Sequence, residues 1–180
     1  EREMALKAEA ESMTEAWRGK PALKIPVLPE SISVKSMADL SGSEQGIAVG
    51  LDTESIEAVY VKPGETTAMA VTGRVGCGKS TMLQRIGQMV LEVDENTLLY
   101  CLDTEKKSLA KLQEKGTAYA RLSEVEKVQD VFAQILKELM SRMQRRKEAA
   151  TKIEKEPWII LLIDDIKECN SLPDDIQMQL

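Results

Sequence analysis

Gly73, Gly76, Gly78, Lys79 and Ser80 stand in the stretch MAVTGRVGCGKST, residues 69–81, in the order glycine, four residues, glycine, lysine, hydroxyl. Such a loop suits one kind of chemistry. Glycines without Cβ atoms let the backbone wrap closely and turn its amides inward. A helix beginning at the loop's end adds free amides and the positive end of its dipole. Lys79 contributes a full positive charge, Ser80 a hydroxyl ligand for a divalent cation, and Thr81 a second hydroxyl in the first helical turn. The ligand this suits is a chain of phosphates with magnesium. Arg74 and Cys77 fill variable positions of the loop. The plain alternative is a glycine turn that starts a helix.

A second stretch, WIILLIDD, ends in Asp164 and Asp165. Its apolar run from Ile159 to Ile163 reads as a strand buried on both faces, with the two carboxylates at its C-terminal end. Ligand sites in open α/β sheets lie at that end. Asp164 there would hold Mg²⁺ opposite Ser80, and Asp165 would polarise an attacking water. A strand ending in Asp because a helix cap follows is the alternative. With the glycine loop about 85 residues upstream, the pair points to a nucleoside triphosphate and magnesium.

The elements that must position these groups are legible in the pattern. The run TTAMAVTG reads as a short buried strand entering the loop. Residues 79–93 suit a helix with Met82, Leu83, Ile86, Met89, Val90 and Val93 at helical spacing. NTLLYCLD is a further strand, TEKKSLAKLQEK a short helix stopped by Gly116, and TAYARL a third strand. Ser123 begins a long helix whose buried face runs on through Leu136, Leu139 and Met143, its methionines filling core. Upstream, residues 2–18 form a helix stopped by Gly19 and Pro21, with Ala, Leu, Met and Trp17 on one side. GKPALKIPVLPES is an extended linker, GIAVGL and IEAVYV are paired strands, and KPGE is a turn. Strands alternating with helices predict an α/β fold, a mostly parallel sheet covered on both faces.

The chain has 180 residues, 43% hydrophobic, 30% charged and 3% aromatic, so its core is built from aliphatic side chains and Met. With no histidine, and with Cys77, Cys101 and Cys169 far apart, a zinc site and a Ser-His-Asp centre are excluded. A net charge of −6 speaks against a general nucleic-acid surface. The basic cluster Arg142, Arg145, Arg146, Lys147 reads as a solvated helix end suited to the dipole. Asp103 and Lys106 either reach a nucleotide site or a neighbouring subunit, or belong to a helix cap. No run approaches the roughly 20 apolar residues that span a bilayer.

The order of segments resembles the FtsK/SpoIIIE branch of P-loop ATPases. LLYCLDTEK is similar to that branch's second strand, and VFAQILKELMSRMQRRKE to the long helix before its second aspartate motif. AWRGKPALKIPVLPE and IAVGLDTESIEAVYV resemble the linker and strands before the last ATPase module of the Firmicutes type VII secretion ATPases. The resemblance covers about residues 15–170. It implies a RecA-like P-loop NTPase core, with 1–31 a helix and Pro-rich linker and 32–180 a partial ATPase module. It implies ATP and Mg²⁺ as cofactors. Gly73, Gly76, Cys77, Gly78, Lys79, Ser80 and Thr81 would bind nucleotide, Ser80 and Asp164 the metal, and Lys79 and Asp165 would act in catalysis. It also implies adjacent ATPase modules and secreted helical-hairpin proteins with a Trp-x-Gly turn as partners, a possible homo-oligomer, and a place at the cytoplasmic face of the cell membrane. The membrane anchor is expected outside this chain, and no nucleic acid is expected.

Asp165 departs from the family's Glu, and the shorter side chain implies low turnover. In the relatives a further strand follows the second aspartate and enters the sheet between the loop strand and the aspartate strand. Only fifteen residues follow Asp165 here. The expectation is an incomplete module whose sheet is finished by a neighbouring segment or chain. Two other functions stay open: a DNA translocase motor, and a docking module that binds nucleotide without hydrolysing it.

Overall fold

In a computed structural model, the described residues are 2–19, 27–42, 45–63, 65, 68–148 and 156–178. The centre is a parallel sheet of three strands, β3 (Leu98–Asp103), β4 (Ala118–Arg121) and β5 (Ile159–Asp164), in the order β4-β3-β5. β3 and β5 run in register from Leu98 opposite Ile159 to Asp103 opposite Asp164. Side chains alternate across the sheet, and each face has its own cover. Tyr100, Leu102, Ile159, Leu161 and Ile163 meet α4 (Val125–Glu148) through Val128, Val131 and Phe132. Leu99, Cys101 and Leu162 meet Leu83 of α3 (Lys79–Val93), and Leu109 and Leu112 at a 3₁₀ helix over Ala110–Lys115. The expected α/β layering with both faces covered is therefore present. Each large aliphatic side chain buried in these layers contributes roughly 1.5–3 kcal/mol.

α3 comes unusually close to the sheet at Gly87. A Cβ there would lie 2.6 Å from Leu112 Cδ1 and 3.0 Å from Leu162 Cδ1. Further along α3, Ile86, Met89 and Val90 cluster with Trp158 and Ile160. Leu83, nearer the helix start, clusters with Leu162. The helix thus runs antiparallel to β5, and its N-terminus points toward the end of the strand where Asp164 lies. On the outer side of α3 sit α2 (Val34–Leu40) and the antiparallel hairpin of β1 (Ile47–Leu51) and β2 (Ala58–Val61). Met37, Ile47 and Ala48 make that contact. Asp52 sets the hairpin turn by accepting from the amides of Glu54 and Ser55 at 3.0 and 2.8 Å.

Several expectations need correction. Residues 68–73 form no strand, because a strand exists only by pairing and no described strand lies beside them. Thr66 and Thr67 of that run, Gly64 of the KPGE turn, and most of the Pro-rich linker lie outside the described residues. β5 is not buried on both faces: Ile159, Ile160, Leu161 and Ile163 are only half-buried. Among the described residues β5 pairs with β3 alone, so its other edge is open. The loop run and the Asp164 strand do not pair with each other. The first helix, α1 (Arg2–Ala16), ends two residues early. The α4 helix starts at Val125 rather than Ser123, whose hydroxyl instead donates to Glu105. α2 was not anticipated; Ser33 caps it, accepting from the Ser36 amide at 3.0 Å.

The largest correction concerns the methionines and the far half of α4. Met37 and Met89 are core, whereas Met4, Met13, Met140 and Met143 are exposed, as are Leu136 and Leu139. Beyond Ile135 the covered face of α4 turns polar, with Glu138, Ser141 and Arg142 half-buried, while the apolar spacing continues on exposed Leu136, Leu139 and Met143. The chain's last described segments, a 3₁₀ helix over Ile166–Ser171 and α5 (Asp174–Gln177), fold back onto the α4 side of the sheet through Cys169, Leu172 and Ile176. Among the described residues no helix is long and apolar enough to cross a membrane.

Candidate phosphate-loop site

The glycine loop is exposed and leads directly into α3. Gly76 and Gly78 take positive φ values of 80° and 93°, conformations that L side chains rarely adopt. Gly73 is required for a different reason: a Cβ there would sit 2.5 Å from Cys77 Sγ. The loop is thus folded back on itself, with the Cys77 thiol lying over Gly73. Gly78 is the N-cap of α3 and has no side chain to cap it. By helix geometry the first-turn amides of Lys79, Ser80 and Thr81 then lack intrahelical acceptors. They carry the positive end of a fifteen-residue helix. Such a helix start suits an anion, and no partner of these amides lies among the described residues.

Lys79 closes the loop. Its ammonium donates to the carbonyl oxygens of Gly73 and Arg74, both at 3.1 Å, which holds the positive charge inside the turn. The hydroxyls of Ser80 and Thr81 make no hydrogen bond among the described residues. The residues present fit a polyphosphate: glycines at the strained positions, uncapped amides, one held cation and free hydroxyls.

Two carboxylates terminate β5 and β3 side by side. Asp164 is 7% exposed, and alternation along β5 puts it on the same face as Leu162, the face covered by α3. Its carboxylate has no hydrogen-bond partner among the described residues. Asp103, directly across the ladder, is 0% exposed. Its carboxylate accepts from the amides of Thr104 and Leu109, each at 2.8 Å, and from the Tyr119 hydroxyl at 3.0 Å. Desolvation, with the bond to Asp103 next, pushes the Tyr119 phenol well above its usual range. Asp103 is therefore a structural acceptor that closes the turn after β3, and it caps no helix: the N-cap of the following 3₁₀ helix is Leu109. Lys106 lies in that turn, its amide donating to Thr104 Oγ1 at 3.3 Å.

Asp165 follows Asp164 through a cis peptide bond. Its side chain is exposed and accepts from the Lys167 amide at 3.2 Å, capping the 3₁₀ helix that follows. The carboxylate assigned to water activation is committed to the backbone in this conformation. Among the described residues no group of three or more acidic or thiol side chains could hold a metal by itself. Any cation here needs ligand oxygens from phosphate, which is how magnesium is usually held beside nucleotides.

The basic end of α4 is solvated at Arg145, Arg146 and Lys147, as expected, but three of its cations are also paired. Arg142 donates to Glu138 and to the Pro157 carbonyl, each at 2.8 Å, tying the helix to the segment that enters β5. Arg145 pairs with Glu138 at 3.2 Å and with Glu156 at 3.1 Å, and Arg146 pairs with Glu156 at 3.2 Å. At the sheet end that carries the aspartates, Arg121 pairs with Glu105 at 2.7 Å and Glu124 at 3.1 Å. Tyr119 and Arg121 were not singled out from sequence. Their only signal was the alternation in TAYARL, which marks a strand and gives no hint of what its polar tips touch.

No family model matches the chain, and no solved structure does. Among curated proteins, the chain is 28% identical over 81 residues to the ESX secretion system protein EccC of Thermomonospora curvata. The aligned stretch covers 45% of this chain and 6% of that protein, so the chain corresponds to a small part of its relative's length.

Proposed function

We propose that residues 73–81 bind Mg-ATP and that the chain is a RecA-like ATPase-type module of a type VII secretion system, similar to the last ATPase module of EssC-type secretion ATPases. The observation that carries the nucleotide reading is the uncapped, glycine-turned start of α3, with Lys79 held in the loop. The likeness to EccC, a protein named for an ESX secretion system, supports the secretion setting. The resemblance of the linker and hairpin adds to it. In this reading residues 1–31 are the helix and linker that connect to a preceding module, and 32–180 form the module. A neighbouring segment or chain supplies the strand that the open edge of β5 lacks.

Lys79 and the first-turn amides bind the phosphates by charge and hydrogen bonding. Ser80 and Asp164 hold the magnesium ion. Mg-ATP, when bound, supplies the phosphoryl group whose transfer to water is the chemistry available at such a site. Asp165 would have to leave the Lys167 amide to orient that water. Its commitment as a cap favours slow turnover, with nucleotide state governing substrate docking or contact between modules. The same observation favours a docking module over a motor as the second reading. The pairing of Arg142, Arg145 and Arg146 with carboxylates and backbone weakens the DNA-translocase alternative.

The test is equilibrium binding of a fluorescent ATP analogue with and without Mg²⁺, competed by ATP, beside a phosphate-release assay. Magnesium-dependent binding competed by ATP, with slow release, is expected. Binding indifferent to magnesium and to ATP would overturn the reading.

A further inference from the structure

Lys107 has a φ of 55°, a left-handed conformation that glycine adopts freely and residues with a Cβ rarely do. Among the described non-glycine residues Ile56 shares that region, at 59°. Ile56 turns the β1–β2 hairpin, its amide donating to the Asp52 carbonyl, and its side chain gains partial cover. The side chain of Lys107 is exposed and gains none. A strained position where glycine would serve the turn better asks what the lysine is there to do.

The turn that carries Lys107 is fixed at both ends. Its amide donates to the Thr104 carbonyl at 3.1 Å, and its carbonyl accepts from the Ala110 amide at 3.2 Å. Buried Asp103 holds the flanks through the amides of Thr104 and Leu109. The turn leaves β3 at the sheet end where Asp164 stands and returns onto the face that α3 covers. There Leu109 belongs to the same cluster as Leu83, which lies one helical turn beyond Lys79. Lys107 thus sits at the end of the sheet, and toward the face, where α3 begins.

Charge gives that placement a use. The same sheet end carries Asp103, Asp164, Asp165 and Glu105, and its Arg121 is taken by Glu105 and Glu124. Lys107 forms no ion pair among the described residues. Its charge reaches Glu105 weakly; that carboxyl is lowered first by the hydrogen bond from Ser123. A triphosphate carries more negative charge than Mg²⁺ and Lys79 offset together. A second cation, fixed by its backbone beside the loop, supplies the difference.

We propose that Lys107 is a second phosphate-binding cation of the loop site, presented by its left-handed turn to the phosphates of a bound nucleotide. The inference rests on the reading of residues 73–81 as a Mg-ATP site. Lys107 binds by charge and takes no part in proton transfer.

Equilibrium binding of Mg-ATP to the full chain, read beside its thermal melt, tests the proposal. Lys107→Gly removes the cation and relieves the backbone in one step. This variant should melt no lower than the parent protein and bind Mg-ATP about five- to tenfold more weakly. Lys107→Arg, which keeps the charge, should hold affinity within about twofold. No binding by the parent protein would overturn the nucleotide reading and this inference together. Parent binding matched by Lys107→Gly would overturn this inference alone. So would a Lys107→Gly variant that melts lower as well as binding worse, since the lysine would then serve the turn itself. An equal loss in Lys106→Ala would reduce the effect to general surface charge and overturn it too.

Discussion

Asp164 stands directly opposite Asp103 in the parallel ladder of β5 and β3, and among the described residues only one of the two carboxylates is hydrogen-bonded. Asp103 is saturated by Thr104, Leu109 and Tyr119. Asp164, one strand over and on the same face, has no partner among the described residues. The two carboxylates therefore differ in environment, one holding the end of the sheet together and the other without a partner among the described residues, as the proposed magnesium role requires.

That division gives opposite outcomes for the same kind of substitution. Asp103→Ala leaves two buried amides and a phenol without an acceptor, and should cost about 3 kcal/mol of stability in a urea melt. Asp164→Ala should leave stability within about 0.5 kcal/mol and instead remove the magnesium dependence of nucleotide binding. Equal losses of stability in both variants would contradict the assignment.

The close crossing of α3 over the sheet is tested at Gly87. Gly87→Ala gains about 1 kcal/mol of helix propensity while pressing on Leu112 and Leu162, so little net change is expected. Gly87→Val adds bulk where there is no room and should destabilise by about 1–3 kcal/mol. The midpoint of chemical denaturation reads both.

The cysteines report on the loop. Cys77 is exposed, whereas Cys101 and Cys169 are buried. Burial pushes the Cys101 thiol up to about 12, and burial also raises that of Cys169. A thiol reagent should therefore modify one cysteine in the folded protein and all three after denaturation. Because Cys77 lies over Gly73, Mg-ATP should slow its modification at least several-fold. Lys79→Ala should abolish that protection. Mass spectrometry of the labelled site checks each statement.

The charged cluster after β4 predicts an acid dependence. The hydrogen bond from the Arg121 side chain, with those of Lys127 and the Arg121 backbone, lowers the Glu124 carboxyl from 4.5 to about 2. A carboxyl depressed in the folded state adds stability above its unfolded value and loses it as pH falls toward the folded one. The melting temperature should thus decline between about pH 4.5 and about pH 2, and Glu124→Gln should flatten that decline. A slope unchanged by the substitution would assign the acid sensitivity elsewhere.

Much of this was legible in the sequence, and the failures share a physical cause. The helix over 79–93 and the strand ending at Asp164 were readable because a strong period and a glycine or carboxylate punctuation agree. Residues 68–72 carry the same apolar signal as β5, but a strand depends on what lies beside it, and sequence does not say. The α4 stripe runs unbroken from Val128 to Met143, while beyond Ile135 the covered positions are Glu138, Ser141 and Arg142 and the apolar ones are exposed. Periodicity marks which face is apolar and cannot mark where its cover ends. Asp103 and Asp164 look alike as strand-terminal aspartates. What separates them is the Leu109 amide and the Tyr119 hydroxyl, brought in from other segments by the fold. α2 was missed because seven residues give too little periodicity, and its one signal was the Ser33 cap.

The most direct measurement is a calorimetric titration of Mg-ATP into the full chain, beside Lys79→Ala. The account predicts saturable binding by the parent protein and loss of at least about tenfold in affinity in the variant, the effect of removing one charge-assisted contact to phosphate. Equal binding by both proteins, or none by either, would contradict the assignment of residues 73–81 as a working phosphate loop.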